Sequence, residues 1–483
     1  MIRVSLIRTA LALACAGVLA GCASMAPSYA RPDAPVPATF ADGGTGTNDA
    51  ADVATLDWRQ VFLDPRLQQV IAQALDNNRD LRVAVLNIDK ARAQYRIQRA
   101  DLFPSVDLSG SQSASRSSAS TSSSGRSEVG RTYSADVGIS SWELDLFGRI
   151  RSLKNEALET YLATAQTQRS TRMSLVAEVA ADWLTVAADQ QRLALAQQTL
   201  NSQRQTLRLT EARHQEGIAS GLDLAQVQTS VESARADVAT YTTQLATSRN
   251  ALDLVVGAPV TADTLPQATA LERGVALAPL PSPLPSRVLL QRPDVLYAEH
   301  TLKSANADIG AARAAFFPTI SLTASTGRSS TALSSLFDAG NRTWSFVPSI
   351  SVPIFRAGAL KAELDQAKIS RDVNVAEYEQ AIQTAFSEVA DALATRAQLD
   401  ERMDAQRALV DVTQRSYTLA DARYRNGVDS YLDALDSQRS LYSAQQDLIT
   451  LRLTEASNRV TLYKVLGGGA DAQSGMPVAE AGR

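Results

Sequence analysis

Cysteine is nearly missing from this chain: Cys15 and Cys22 are the only two among 483 residues, and both stand near the N-terminus. A disulfide framework is therefore excluded, and stability must come from packing. Histidine is as scarce. His214 and His300 lie far apart, in no spacing such as HExxH that would hold a metal. No GxGxxG, P-loop or GxSxG run occurs, so dinucleotide binding, phosphate cradling and the hydrolase nucleophile elbow have no candidate. The expectation is a protein with no metal, no cofactor and no catalytic residue, hence not an enzyme. A net charge of −4 supplies no basic field for nucleic acid. Aromatic residues make up only 5% while alanine, glutamine, leucine and arginine abound, a mixture that favours long helices over a thick globular core.

Two further absences are local. No proline falls between Ser105 and Ala258 or between Ile354 and Gly475, and no glycine between Arg149 and Glu216 or between Ala359 and Asn426. Because an interior proline breaks the helical hydrogen-bond ladder, tracts of this kind permit continuous helices roughly 100 Å long. Val179, Val186, Leu193, Leu200 and Leu207 recur every seven residues in the first tract, as do Met403, Val410, Tyr417 and Tyr424 in the second. That step keeps an apolar seam on a neighbouring helix. A plain two-stranded coiled coil and a single-layered helical wall are both compatible with it.

What is present is a duplication. "RHQEGIASGLDLAQVQTS" (Arg213 to Ser230) returns as "RYRNGVDSYLDALDSQRS" (Arg423 to Ser440), with Gly427 placed 210 positions after Gly217. "QRADLFPSVDLSGS" (Gln98 to Ser111) returns as "ARAAFFPTISLTAS" (Ala312 to Ser325), at an offset of 214. Each glycine suits a tight turn between helices, where a positive φ is often needed. Ser220 and Ser430 stand where a hydroxyl can cap the returning helix. Only the second copy carries the acid pair Asp433 and Asp436, one helical turn apart; Gln226 stands opposite Asp436, and Leu224 and Val227 stand opposite Ala434 and Ser437.

After each Phe-Pro the apolar period changes from helical to two. Val106 and Leu108, then Tyr133 to Ile139, then Ile320, Leu322 and Ala324, then Trp344, Phe346, Ile350, Val352 and Ile354 define four amphipathic strands. Their length suits membrane-crossing strands of about 9–11 residues, although a soluble hairpin has the same pattern. The serine-rich stretches within each pair read as loops on the outer side. Four strands cannot close a barrel in lipid, because an open edge leaves backbone groups unsatisfied; two copies would supply eight strands and three would supply twelve.

The N-terminus reads as a targeting segment, with Arg3 and Arg8 before a short apolar run. Its end, Leu19-Ala20-Gly21-Cys22, resembles a lipobox, which would leave Cys22 lipidated with S-diacylglycerol and an N-acyl chain; an ordinary signal peptide cleaved nearby is the alternative. The ordered segments are then 1–21 as signal peptide, 22–64 as an extended N-terminal stretch, 65–260 as repeat 1, 261–291 as a proline-rich linker, 292–470 as repeat 2 and 471–483 as a tail.

With Cys22, the duplication, the "RPD" at Arg292 to Asp294, the run from Arg423 to Leu453 and the ending "LYKVLGGG", the chain resembles the TolC family of outer-membrane efflux channels, in its OprM-like lipoprotein branch. The resemblance implies a mixed α and transmembrane β fold. It also implies a homotrimer with a twelve-stranded barrel in outer-membrane lipid, continued by a periplasmic α-helical tunnel. It implies as partners a periplasmic adaptor protein and an inner-membrane pump of the resistance-nodulation-division class. The expected function is a passive exit duct for drugs and other small toxic compounds. A type I secretion duct and a non-channel coiled-coil lipoprotein are the alternatives. Gly217, Ser220, Gly427 and Ser430 would mark adaptor-docking tips. Leu432, Asp433 and Asp436 would form the periplasmic gate, with ringed carboxylates raising one another's pKa values, and Tyr424, Asp223 and Arg213 would help hold the tips closed. The family's type member has an arginine where this chain has Asp429, so its inter-helix bridge is not carried over.

Overall fold

The computed structural model describes residues 24–40, 57–122, 125–267, 270–273, 275 and 284–468. Cys22 lies outside them. Helices α1 (Trp58–Val61), α2 (Pro65–Asn77) and α3 (Arg79–Ala100) lead into strands β1 (Asp107–Ser117) and β2 (Glu128–Glu143). Helices α4 (Arg149–Gln215), α5 (Gly221–Val256) and the single turn α6 (Ala270–Arg273) follow, then α7 (Pro293–Ala314), β3 (Thr319–Ser330), β4 (Arg342–Ser351), α8 (Ala359–Arg425) and α9 (Tyr431–Val465). The order α3-β1-β2-α4-α5 is thus repeated as α7-β3-β4-α8-α9. Helices α4 and α8 are 67 residues each, the length the proline-free and glycine-free tracts allow.

The compact units are not the two repeats. Among the described residues, those within 1–33, 87–164 and 297–378 cluster in one and those within 34–86, 165–296 and 379–483 in the other, so each unit draws on both repeats.

The first unit holds one antiparallel sheet in the order β1-β2-β3-β4, so the hairpins of the two repeats lie side by side through β2 and β3. Registered partners share a face. One face carries Leu108, Val137, Ile139, Trp142, Leu322, Ile320, Trp344, Phe346 and Ile350. The other is lined by small hydroxyls: the Ser111 and Ser134 hydroxyls meet at 2.8 Å, as do those of Ser325 and Ser345. Gly138 is required here, because a Cβ would come within 2.5 Å of the Ala324 carbonyl oxygen. Val352 and Ile354, expected in the fourth strand, lie past its end at Ser351. Pro353 has no N–H to continue the ladder. Among the described residues β1 and β4 pair with no further strand.

An N-terminal strap also belongs to this unit. The Arg31 guanidinium binds both oxygens of Glu299 at 3.2 and 2.6 Å, Asn306 donates to the Pro27 carbonyl at 2.8 Å and Arg313 to that of Met25 at 3.2 Å. The segment just beyond Cys22 is therefore fastened beside the end of α7 that leads into β3.

The second unit has its core where α1, α2, α4, α5 and α9 meet, around Trp58, Phe62, Ile71, Val179, Trp183, Val186, Val256 and Tyr463. Trp183 satisfies its indole N–H on the Thr264 carbonyl at 3.0 Å. Of the first seam, Val179, Val186 and Leu200 are buried. The repeats share a clasp here. Asn78, at the start of α3, donates to the Val255 carbonyl at 2.7 Å, and Arg292, at the start of α7, donates to the Val465 carbonyl at 2.8 Å. The "RPD" run is thereby structural: Arg292 also binds Asp294 and Glu388, each at 2.6 Å. The linker pairs with the N-terminal stretch: the Phe40 N–H donates to the Leu284 carbonyl at 3.0 Å and the Ser286 N–H to that of Ala38 at 2.8 Å.

Candidate functional site

The two hairpin tips of the second unit are built from the same turn. Gly217 and Gly427 take φ of 77° and 72°, the left-handed region where a side chain is strained. In tip 1 the Gly217 N–H reaches the His214 carbonyl at 3.0 Å and the Ile218 N–H that of Arg213 at 2.8 Å. In tip 2 Gly427 and Val428 make the same pair to Tyr424 and Arg423, each at 2.9 Å. Both are Schellman closures, which satisfy the last carbonyls of α4 and α8.

The returning helices start differently. Ser220 accepts from the Asp223 N–H at 3.0 Å while Asp223 accepts from the Ser220 N–H at 3.1 Å, a complete capping box. Asp223, expected to help hold the tips closed, takes part in its own turn through this box. Ser430, expected to cap α9, makes no such bond: its hydroxyl donates instead to Asp433 at 2.9 Å. Tip 2 is braced by Arg423, which binds both oxygens of Asp429. That bond holds the Asp429 carboxyl below the usual aspartate range.

Arg213 and Tyr424 join the two tips. Arg213 donates to the Tyr424 and Arg425 carbonyls at 3.1 and 2.5 Å, and its guanidinium stands 5.2 Å from the Tyr424 ring centre. Tyr424 packs edge-on against Tyr431 with centroids 5.4 Å apart, and Val227, Ala434 and Leu435 complete the buried cluster. Thr210 and Gln203 escaped the sequence reading. The Tyr424 hydroxyl meets that of Thr210 at 2.7 Å, and the Tyr431 hydroxyl donates to Gln203 at 3.1 Å, which in turn donates to Gln438 at 2.5 Å. Burial pushes the Tyr431 hydroxyl up from its ordinary pKa. One signal was present: Tyr431 continues the seven-residue step of Tyr417 and Tyr424.

Leu432, Asp433 and Asp436 lie on the face of α9 away from this cluster, all exposed. Leu432 and Asp436 are four apart and so stand one above the other. Apolar display is common to both tips: Ile218 and Leu222 are 70% and 67% exposed, Val428 and Leu432 62% and 55%. The tips therefore differ in their acids and their bracing, not in apolar surface. Among the described residues no group of acids, histidines and cysteines could hold a metal.

The family described as outer membrane efflux protein matches residues 70–258 and 284–468, one stretch in each repeat. The chain belongs to that family. An antibiotic efflux pump outer membrane protein, ArpC of Pseudomonas putida, and a toluene efflux pump outer membrane protein, TtgC of the same species, are each 49% identical over 462 residues, covering 95% of both chains. Among solved structures, the open state of the MtrE outer membrane channel of Neisseria gonorrhoeae is 38% identical with a TM-score of 0.84, covering 93% of this chain and 99% of that one. Membership of the outer membrane efflux protein family places the chain in the outer membrane and gives it a transport task.

Proposed function

We propose that three copies of the chain close a twelve-stranded barrel continued by a helical tunnel. This would form the outer-membrane duct of a tripartite efflux system together with a periplasmic adaptor and an inner-membrane pump of the resistance-nodulation-division class. The observation that carries this is the four-stranded sheet itself, apolar on one face, hydroxyl-lined on the other, with two edges left unpaired among the described residues. Such edges are satisfied in lipid only by closure with further copies. The antibiotic and toluene in the relatives' names support small, largely apolar cargo. Lipidation of Cys22 is supported by the strap, which fastens Met25 beside the strand-proximal end of α7. Adaptor docking falls on the tips at Gly217, Ser220, Gly427 and Ser430, and the gate on Leu432, Asp433 and Asp436 as threefold rings.

The test is antibiotic susceptibility of a deletion strain complemented with wild type or with Leu432→Ala plus Asp436→Ala at equal protein level. The expected result is entry of a large antibiotic such as vancomycin through the double variant alone. Unchanged permeability would remove these residues from the gate.

A further inference from the structure

The strands of the sheet carry eight charged residues, and the register sorts them completely by sign. Asp107, Asp136 and Glu128 lie on the hydroxyl-lined face, as does Glu143 opposite Ser321. Arg116, Arg131, Arg328 and Arg342 lie on the apolar face. All four arginines sit at the loop end of their strands. Arg116 is one residue from the end of β1, Arg328 two from the end of β3, and Arg342 opens β4.

Arginine on a lipid-facing surface is costly at mid-membrane and cheap only near the interface. Arg328 and Arg342 are direct cross-strand partners, an arrangement that repels unless an anion sits between them. Across the sheet the arginines also climb. Arg342 and Arg328 share a row with Ala135 and Gly110, Arg131 lies four residues further toward the loop on β2, and Arg116 six residues further on β1. A line advancing this way becomes level when strands are tilted, as they are by about 35–45° in membrane barrels. Arg116 donates to Ser127 at 2.9 Å and Arg328 to the Phe337 and Asp338 carbonyls at 2.6 and 2.8 Å, so two of the four also brace the loops. Arg131 and Arg342 are exposed.

We propose that these four arginines form a collar that binds the phosphate groups of lipopolysaccharide in the outer leaflet. This rests on the reading of the strands as a barrel with its loops outward. Guanidinium is suited to the task because its planar fork bonds phosphate bidentately.

The experiment uses the full chain in mild detergent, titrated by native mass spectrometry with lipid A and with the same lipid stripped of its phosphates. Arg131→Gln plus Arg342→Gln leaves the loop-bracing pair intact and is expected to weaken lipid A binding roughly tenfold or more. Arg131→Lys plus Arg342→Lys should bind more tightly than the Gln variant but less tightly than wild type, since an ammonium keeps the charge and loses the fork, and the dephosphorylated lipid should bind wild type at least as weakly as the Gln variant binds lipid A. Equal binding by wild type and the Gln variant, or of both lipids by wild type, overturns the collar. Conductance of the same preparations in a planar bilayer separates the two readings. A conducting wild type with unchanged lipid A binding by the Gln variant sinks the collar alone, whereas a wild type that never conducts removes the barrel and the collar together.

Discussion

The Thr210 hydroxyl oxygen lies 2.7 Å from that of Tyr424, although 214 positions separate them, and this contact ties α4 to α8 just above the tips. Thr210 also donates to the Thr206 carbonyl at 3.0 Å, which uses its only proton, so Tyr424 is the donor in the pair. Tyr424→Phe and Thr210→Val should each loosen the tips by about 1 kcal/mol. In a double-mutant cycle the losses should overlap rather than add. Single-channel conductance reads the effect: the variants should show longer open dwell times, and fully additive behaviour would show that the hydroxyls do not act on each other.

The bond from Arg423 keeps Asp429 ionised below the ordinary aspartate range. A carboxyl depressed in the folded state contributes stability above its unfolded pKa, about 3.9, and loses it as pH falls through the folded value. Wild type should therefore melt above Asp429→Asn at neutral pH, with the gap closing in acid below the ordinary aspartate pKa and shrinking in high salt, because the pair is solvent-exposed. A melting difference indifferent to both pH and salt would remove the ion pair as its cause.

Arg292 and Asn78 perform the same clasp at very different cost. Arg292→Ala strips the Val465 carbonyl of its partner and separates Asp294 from Glu388 and their shared cation, a loss of roughly 2–4 kcal/mol. Arg292→Lys should recover little, since one ammonium cannot fork to three acceptors. Asn78→Ala should cost about 1–2 kcal/mol, through the Val255 carbonyl and the cap on Leu81. Thermal unfolding of the three variants gives the ranking.

Glycines with like φ should respond unlike to alanine. A Cβ at Gly217 or Gly427 meets nothing within 4 Å, so substitution should cost only backbone strain of about 1–2 kcal/mol. At Gly257, with φ of 76°, the Cβ would come within 2.7 Å of the Asn77 carbonyl oxygen, adding a clash with the clasp. Gly257→Ala should therefore lower the melting temperature further than either tip variant, and equal effects would show that the backbone moves aside.

The duplication, the helix lengths and the four strands were legible because each rests on a local rule: where proline and glycine are missing, where the period changes, where a glycine recurs 210 positions on. Capping was less so. Ser220 and Ser430 look alike in sequence, and each hydroxyl donates to the acid three residues on, yet only that of Ser220 also accepts from a backbone N–H and so caps its helix. The part Asp223 plays in closing its own turn, by accepting from the Ser220 N–H, likewise shows only in the folded chain.

The sequence alone determined the elements and their repetition, for backbone sterics and periodicity act over a few residues. Only the tertiary structure decided which distant residues meet: Thr210 with Tyr424, Arg292 with Val465, Arg328 with Arg342. Those pairings depend on strand register and on how far each helix slides along its neighbour. The heptad repeat leaves that slide free by whole turns, and only the summed packing of the folded chain selects one.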